Sequence, residues 1–457
     1  MKPISHFGKI IEQIRLSEFL RNALTLISGT SIAHLIPLLI SPILSRLYTP
    51  VDFDVFAIYL SIVTLLSPII TGTYDQAIML PKEDDDGFQI AVLATFLAFL
   101  VSLISIPVVI IWNRPLCLLF KNDEVGLWLY FVPLSIFLIS LFNVQQSWYT
   151  RTKRFKSVAL SQVVQSVGIS LVNIGMGLGG WGAAGLVVGR VAGQVLSNMV
   201  LIGSGFRQRL RMSRHFFLKM WKNATLYRDF PFYTAPRVLL DGLRNTVLIF
   251  LITYLFAKGT LGSYSFMSKV LGTPLSLIGL AVAKVYYQKA ADAHNRGKNI
   301  WFILRPVLIW LTLIALPILL ILIFFGPELF AFIFGKEWTE AGKFARILSP
   351  WFLVSFIFTS VSHTPLIFNK QKTFFFLMGG FNIVIPLIFA FAAITSRDIE
   401  KSLWVLSITA SIYMLILIFW YGYLVKKGKP SLPSSVLPPD SQSAQPEDYS
   451  PDGVRYG

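Results

Sequence analysis

Apolar runs of about 20 residues, the length that crosses a bilayer as a helix, recur from one end of this chain to the other. Nothing else in the sequence restricts the fold so tightly. A backbone in hydrocarbon must satisfy its own N–H and C=O groups, and only helices and closed barrels do so. Transmembrane barrels show alternating segments of ~10 residues, and none is visible. The chain reads as an all-α integral membrane protein. Of its 457 residues 54% are hydrophobic and 14% charged, against about 25% charged in soluble domains. The mean hydropathy is +0.65.

Twelve spans are predicted, at 22–47, 55–80, 88–112, 126–148, 157–178, 182–204, 233–256, 263–286, 302–324, 346–368, 374–394 and 403–425. If the chain starts inside, the gaps after odd-numbered spans lie outside. Those gaps carry only Arg114, Lys121, Lys258, Lys336, Lys343, Arg397 and Lys401, with Arg346 at the edge of the tenth span. The inside segments are richer in cations. Arg151, Lys153, Arg154 and Lys156 follow the fourth span, and Arg207, Arg209, Arg211, Arg214, Lys219, Lys222 and Arg228 follow the sixth. Lys426, Lys427 and Lys429 follow the last. By the positive-inside rule both termini are cytoplasmic. The same rule accounts for the formal charge of +17, so no nucleic-acid partner is expected. The polar, basic opening residues show no small-residue cleavage site after a short apolar core, and no cleaved signal is expected. The single cysteine, Cys117, excludes an internal disulfide and suggests no metal cluster. No metal site and no cofactor is expected. The sequon Asn223-Ala224-Thr225 lies in a predicted cytoplasmic loop and is given no weight.

The chain repeats itself. VDFDVFAIYLS, with Phe53–Phe56, and GTLGSYSFMSK, with Leu261–Tyr264, open the second span of each half at an offset of 208. RPLCLLF (114–120) parallels GPELFAF (326–332), and RTKRFKS (151–157) parallels NKQKTFF (369–375). The predicted organisation is a cytoplasmic segment (1–21), a six-helix lobe (22–204), a basic linker (205–232), a second six-helix lobe (233–425) and a Pro/Ser-rich disordered tail (426–457). Duplicated halves with a site at their interface are a transporter signature.

Two motifs compete with that reading. GLGGWG (177–182) matches G-x-G-x-x-G literally, but a dinucleotide fingerprint follows a strand, and here the match sits in a hairpin between spans. Gly185, Gly189 and Gly193 then recur every four residues, which suits close helix packing. VDFDVF (51–56) places Asp52 and Asp54 in the first outside loop, where a membrane glycosyltransferase could use an acidic pair. The outside loops are short for an acceptor domain, and a duplicated chain is unexpected for that class.

Charges inside the spans carry most of the functional signal. PRVLLDGLRNTVLIFLITYLF (235–255) holds Arg237, Asp241 and Arg244 at spacings of four and three, within roughly 60° of one another on a helix. Arg46, Arg190, Arg237, Arg244, Lys269 and Lys284 oppose only Asp75 and Asp241. Arg46 and Lys284, near span ends, could snorkel, and Arg190 could serve a structural pair. Arg244 lies ~15 Å in from Thr234, near the middle of a ~30 Å core. Lys269 shares a face with Ser265, Gly272 and Ser276. Such residues mark pathways by default. Arg46, Arg190, Arg237, Arg244 and Lys269 form the candidate substrate-binding set, and their cationic excess calls for an anion. Arg presents a planar fork that matches phosphate oxygens. His34, on a face with Thr30 and Ser41, joins Asp75 and Asp241 as the candidates for exchanging a proton or binding sodium. At an offset of 218, His363 aligns with Gln145.

Several stretches resemble the oligosaccharide flippases of bacterial surface-polysaccharide pathways, within the multidrug/oligosaccharidyl-lipid/polysaccharide (MOP) exporter superfamily. They are TP followed by VDFDVFAIYLS, SPIITGTYDQAIMLPKEDDDG (67–87) and LGSYSFMSKVLGTPLSLIGLAVAKVYYQKAADAHNRGK (261–298). The resemblance covers the chain up to about residue 425, though the family usually has Gly where Asp54 stands. It implies a twelve-helix, two-lobed, MATE-like fold and a transporter rather than an enzyme. The cargo would be an undecaprenyl-diphosphate-linked oligosaccharide, moved from the cytoplasmic to the periplasmic leaflet of the bacterial inner membrane for O-antigen, lipopolysaccharide or capsule synthesis. Alternating access would be driven by a proton or sodium gradient. Implied partners are that lipid-linked sugar, membrane lipid, and the polymerase and chain-length regulator of such a pathway. A MATE-type cation or drug antiporter and a membrane glycosyltransferase remain the alternatives.

Overall fold

The computed structural model describes residues 29–204 and 214–427. The predicted amino-terminal segment, the first part of the basic linker and nearly all of the predicted tail lie outside the described residues. Twelve helices of spanning length follow one another. They are α1 (Gly29–Leu47), α2 (Pro50–Ile70), α3 (Asp84–Leu119), α4 (Val132–Arg151), α5 (Phe155–Leu178) and α6 (Ala183–Gly203). After a linker helix (Arg214–Leu226) come α7 (Ala235–Leu255), α8 (Thr260–Asn295), α9 (Trp301–Phe334), α10 (Thr339–Val361), α11 (Gln371–Ser396) and α12 (Ile399–Lys427). No strand occurs among the described residues.

Eleven of the twelve are apolar enough to cross a membrane on composition alone. The exception is α4, whose second half carries Asn143, Gln145 and Gln146. It is enclosed by α2, α3 and α6, so its polar groups need not face lipid.

Helix ends explain where the expected boundaries move. The second span was expected from residue 55, because Asp52 and Asp54 read as loop. Instead Thr49 and Asp52 form a reciprocal cap: Thr49 N donates to Asp52 Oδ2 (2.8 Å) and Asp52 N to Thr49 Oγ1 (3.3 Å). With Pro50 pre-set for the first helical position, the helix starts five residues early. It also ends early, at Ile70, where Gly72 and Thr73 take left-handed backbone (φ +60° and +55°). Likewise α8 runs to Asn295 rather than 286, so Lys284 is exposed along its length instead of standing in its last turn.

Neighbouring helices pack as the small-residue pattern requires. A Cβ at Gly189 would fall on the Asn173 side chain and one at Gly193 on Ile169, so the stripe lets α6 lie close along α5. The halves α1–α6 and α7–α12 meet through α2, which contacts both α7 and α8.

At the end predicted to lie outside, the junction is aromatic. Phe53, Phe266 and Trp338 cluster with centroid separations of 5.3, 5.2 and 4.1 Å, and Phe334 meets Phe266 edge-on at 5.0 Å. Trp338 is fully buried and donates through Nε1 to Ser45 O at 2.7 Å. Trp338→Ala is expected to cost about 3–5 kcal/mol, read as a lower melting temperature and less folded protein in the membrane. An unchanged melting temperature would show that this cluster contributes little to stability.

Candidate functional site

Between the halves lies a cavity of about 440 Å³, within the range of small-molecule sites. One wall is α5, with Gln162, Gln165, Ser166 and Asn173. These residues recur at intervals of three, four and seven, one face of a helix. Gln162 is held by Thr30, whose Oγ1 donates to its Oε1 at 2.7 Å. The Asn173 amide, turned to satisfy its neighbours, donates to Ile169 O and Gly185 O. Phe53 and Phe266 close the cavity at the predicted outer end, and at the other end it reaches Ala33, His34 and Gln162. Those three residues stand in the early turns of α1 and α5.

Two cations face this space. Arg190 comes from α6 and Lys269 from α8, one from each half, and they are near enough to act on each other electrostatically. Arg190 Nε is buried and has no hydrogen-bond partner among the described residues. Buried polar groups are almost always paired, and a buried cation needs a counter-charge. Among the described lining residues there is no carboxylate. His34 is the remaining titratable side chain among them. The arrangement has the chemistry to hold an anion: a planar guanidinium that can take two oxygens at once, an ammonium opposite, and neutral hydrogen-bonding groups along one wall.

Above the aromatic layer, Asp54 joins the halves. Its carboxylate is 4% exposed and accepts from Gly259 N and Gly262 N at the amino terminus of α8. Residues 54 and 262 are equivalent at the repeat offset of 208, so matching helix starts meet across the junction. Both helix ends carry partial positive charge, and the carboxylate between them offsets it. A Cβ at Gly262 would collide with Pro50 O; only glycine permits the approach. Asp52 caps Thr49. The acidic pair is therefore a pair of helix caps rather than a loop site. Outside contacts made by the linker, the hydrogen bonds and ring contacts that join the halves all lie at this end among the described residues.

The other candidates sit elsewhere. Arg46 is exposed near the end of α1 and does not line the cavity. Arg244 donates to Asn382 Oδ1 (3.2 Å) and lies over the Phe381 ring (5.3 Å), both on α11. The side chains of Arg237 and Asp241 lie outside the described part of the structure. Asp75 stands in the short turn Tyr74–Ala77 and accepts from Thr71 Oγ1 at 2.7 Å. The structure thus gathers Arg190, Lys269 and His34 into one space and leaves Arg46, Asp75 and Arg244 out of it. Two features were missed in the sequence. The α5 stripe was legible as a 3.6-residue period of amides within an apolar run. The capping role of Asp54 was foreshadowed only by its departure from the family's usual glycine.

Comparison with known proteins bears on the whole arrangement. A family profile described as "Polysaccharide biosynthesis protein" matches residues 43–343, about two-thirds of the chain. Among solved structures, the fold is shared with the lipid II flippase MurJ in an inward closed conformation (TM-score 0.63, 15% identity, covering 89% of this chain and 87% of that one). It is also shared with an inward-facing multidrug resistance MATE family transporter of the MOP superfamily (0.59, 12%, 88% and 94%). A third is a MOP superfamily transporter from Pyrococcus furiosus described as having a binding pocket of reverse polarity that suggests a different function (0.51, 14%, 90% and 95%). At these identities the likeness establishes the fold. No curated protein matches the chain at a significant level.

Proposed function

Because the chain belongs to the polysaccharide biosynthesis protein family and has the fold of MOP transporters, we propose that it is a flippase for a lipid-linked oligosaccharide diphosphate. The reading rests on one observation: among the described residues, the cavity between the halves presents Arg190 and Lys269 and no carboxylate. A diphosphate carries the charge these residues need, and ordinary bilayer suits its polyprenyl tail. We take the lipid to be undecaprenyl diphosphate, the membrane the bacterial inner membrane with both chain termini in the cytoplasm, and the product a surface polysaccharide such as O-antigen or capsule.

The geometry suggests how transport proceeds. With the halves latched at the outer end through Asp54 and Trp338, the cavity loads from the opposite side. When empty, Arg190 and Lys269 repel across the junction. A diphosphate between them replaces repulsion with attraction in a low-dielectric site, which draws the halves together there and favours release of the outer latch. The return of the empty cavity is assigned to a proton or sodium gradient, with His34, Asp75 and Asp241 as the groups to exchange the ion. In proteoliposomes, an imposed gradient of one of these ions is expected to raise the transport rate several-fold. Rates indifferent to both would remove the coupling.

The MATE-type alternative requires a cavity that attracts organic cations, against the sign found here. The glycosyltransferase alternative requires a free acidic pair, whereas Asp52 and Asp54 are both engaged at helix ends. The class is tested with purified protein in vesicles. Translocation of a fluorescent polyprenyl-diphosphate sugar, without efflux of ethidium, is the expected result; the reverse would move the chain to the cation exporters. Orientation is checked separately by single-cysteine labelling in a Cys117→Ser background. A cysteine at 336 is expected to react from outside intact cells and one at 215 is not; the opposite pattern would invert the topology.

A further inference from the structure

We infer that a groove at the start of α9 is a binding site for an anionic phospholipid. The groove, about 340 Å³, is formed by Trp301, Phe302, Arg305, Pro306, Ile309 and Trp310, and it is separate from the cavity between the halves. All six lie on one side of α9, where Phe302, Arg305, Pro306, Ile309 and Trp310 are exposed and Trp301 is half-buried, so the groove faces lipid.

Its charge is what selects the occupant. Arg305 is exposed and has neither an ion pair nor a hydrogen bond to protein among the described residues. Lys426 Nζ, at the end of α12, lies 4.5 Å from the centroid of the Trp301 ring and adds a second cation at the rim. Among the described residues no carboxylate lines the groove. A neutral or zwitterionic lipid would leave this charge unbalanced. Depth fits as well. Arg305 stands ~6 Å along the axis from Trp301, at the level where tryptophans mark the membrane–water boundary. The phosphodiester takes the guanidinium fork, and an acyl chain runs along Ile309 and Trp310 toward the bilayer centre. Pro306 adds a polar contact, because it has no N–H to give the carbonyl of Phe302. That carbonyl is left to accept from a headgroup hydroxyl, as phosphatidylglycerol offers.

Native mass spectrometry of the full chain, released from detergent with phosphatidylglycerol or phosphatidylethanolamine, tests this. The wild type is expected to retain one phosphatidylglycerol about tenfold more strongly than phosphatidylethanolamine. Arg305→Gln is expected to abolish the preference, and Lys426→Gln to reduce it, with melting temperatures near wild type. Equal retention of both lipids by the wild type, or an unchanged preference in a folded Arg305→Gln, would overturn the site. So would displacement of phosphatidylglycerol by undecaprenyl diphosphate in Arg190→Ala, since the groove would then belong to the transported lipid. Loss of transport in vesicles with the lipid preference intact would count against the flippase reading alone.

Discussion

Arg190→Ala is expected to lower the rate of lipid-linked oligosaccharide translocation about 100-fold or more while leaving folded protein in the membrane. Truncating one side of a buried, hydrogen-bonded charge pair costs about 2–5 kcal/mol, and the upper half of that range corresponds to complete loss in most assays. Stability should change little or improve, because Arg190 has an unpartnered buried Nε and removing it removes an unmet requirement. Arg190→Lys should be intermediate, since it keeps the charge and loses the bidentate fork. Lys269→Gln should reduce transport less, because an ammonium contributes as a point charge. A structural role for Arg190 predicts the opposite order: protein lost first, with activity per molecule preserved in whatever remains.

Asp54→Ala is expected to have the second large effect, and on conformation rather than ligand. It would leave Gly259 N and Gly262 N without their acceptor and the two helix ends without the charge between them. Each lost charge-assisted bond is worth about 1.5–3 kcal/mol, so the outer-closed state should weaken by several kcal/mol, enough to reverse a two-state preference. The readout is accessibility of Ser45→Cys in a Cys117→Ser background. Ser45 is buried, and its carbonyl receives the Trp338 bond. In Asp54→Ala this cysteine should react with an impermeant thiol reagent at least tenfold faster than with Asp54 present. Asp54→Asn should fall between, since an amide oxygen accepts without carrying charge. Unchanged labelling would show that the outer end is held by the aromatic cluster alone.

The architecture was largely legible because hydrocarbon leaves the chain few options. Runs of spanning length follow from physics that acts locally along the sequence, and the 208-residue offset reappears where Asp54 meets Gly262. Boundaries were less legible where capping overrode composition. Asp52 and Asp54 look like loop residues until Thr49 closes a cap and α8 arrives from 208 residues away. The cavity was legible only partly in its members. Its cationic sign could be read by counting charges in spans, and Arg190, Lys269 and His34 do line one cavity. Arg46 and Arg244 could not be separated from them, because charge on a span does not reveal which neighbour it faces; Arg244 faces Asn382 on α11. The α5 amides escaped notice because neutral polar residues at helical spacing resemble ordinary interhelical hydrogen-bonding groups until a cavity is found beside them.

If the space between the halves is built for an anion, purified protein should discriminate between ligands by the sign of their charge in equilibrium binding. Two probes of similar size and opposite charge, farnesyl diphosphate and tetraphenylphosphonium, are titrated into the wild type and into an Arg190→Gln, Lys269→Gln double variant. Saturable binding of the diphosphate to the wild type is expected, weakened by added salt and lost in the double variant, with no saturable binding of the cation. Tight binding of tetraphenylphosphonium, or diphosphate binding that survives the double substitution, would contradict it.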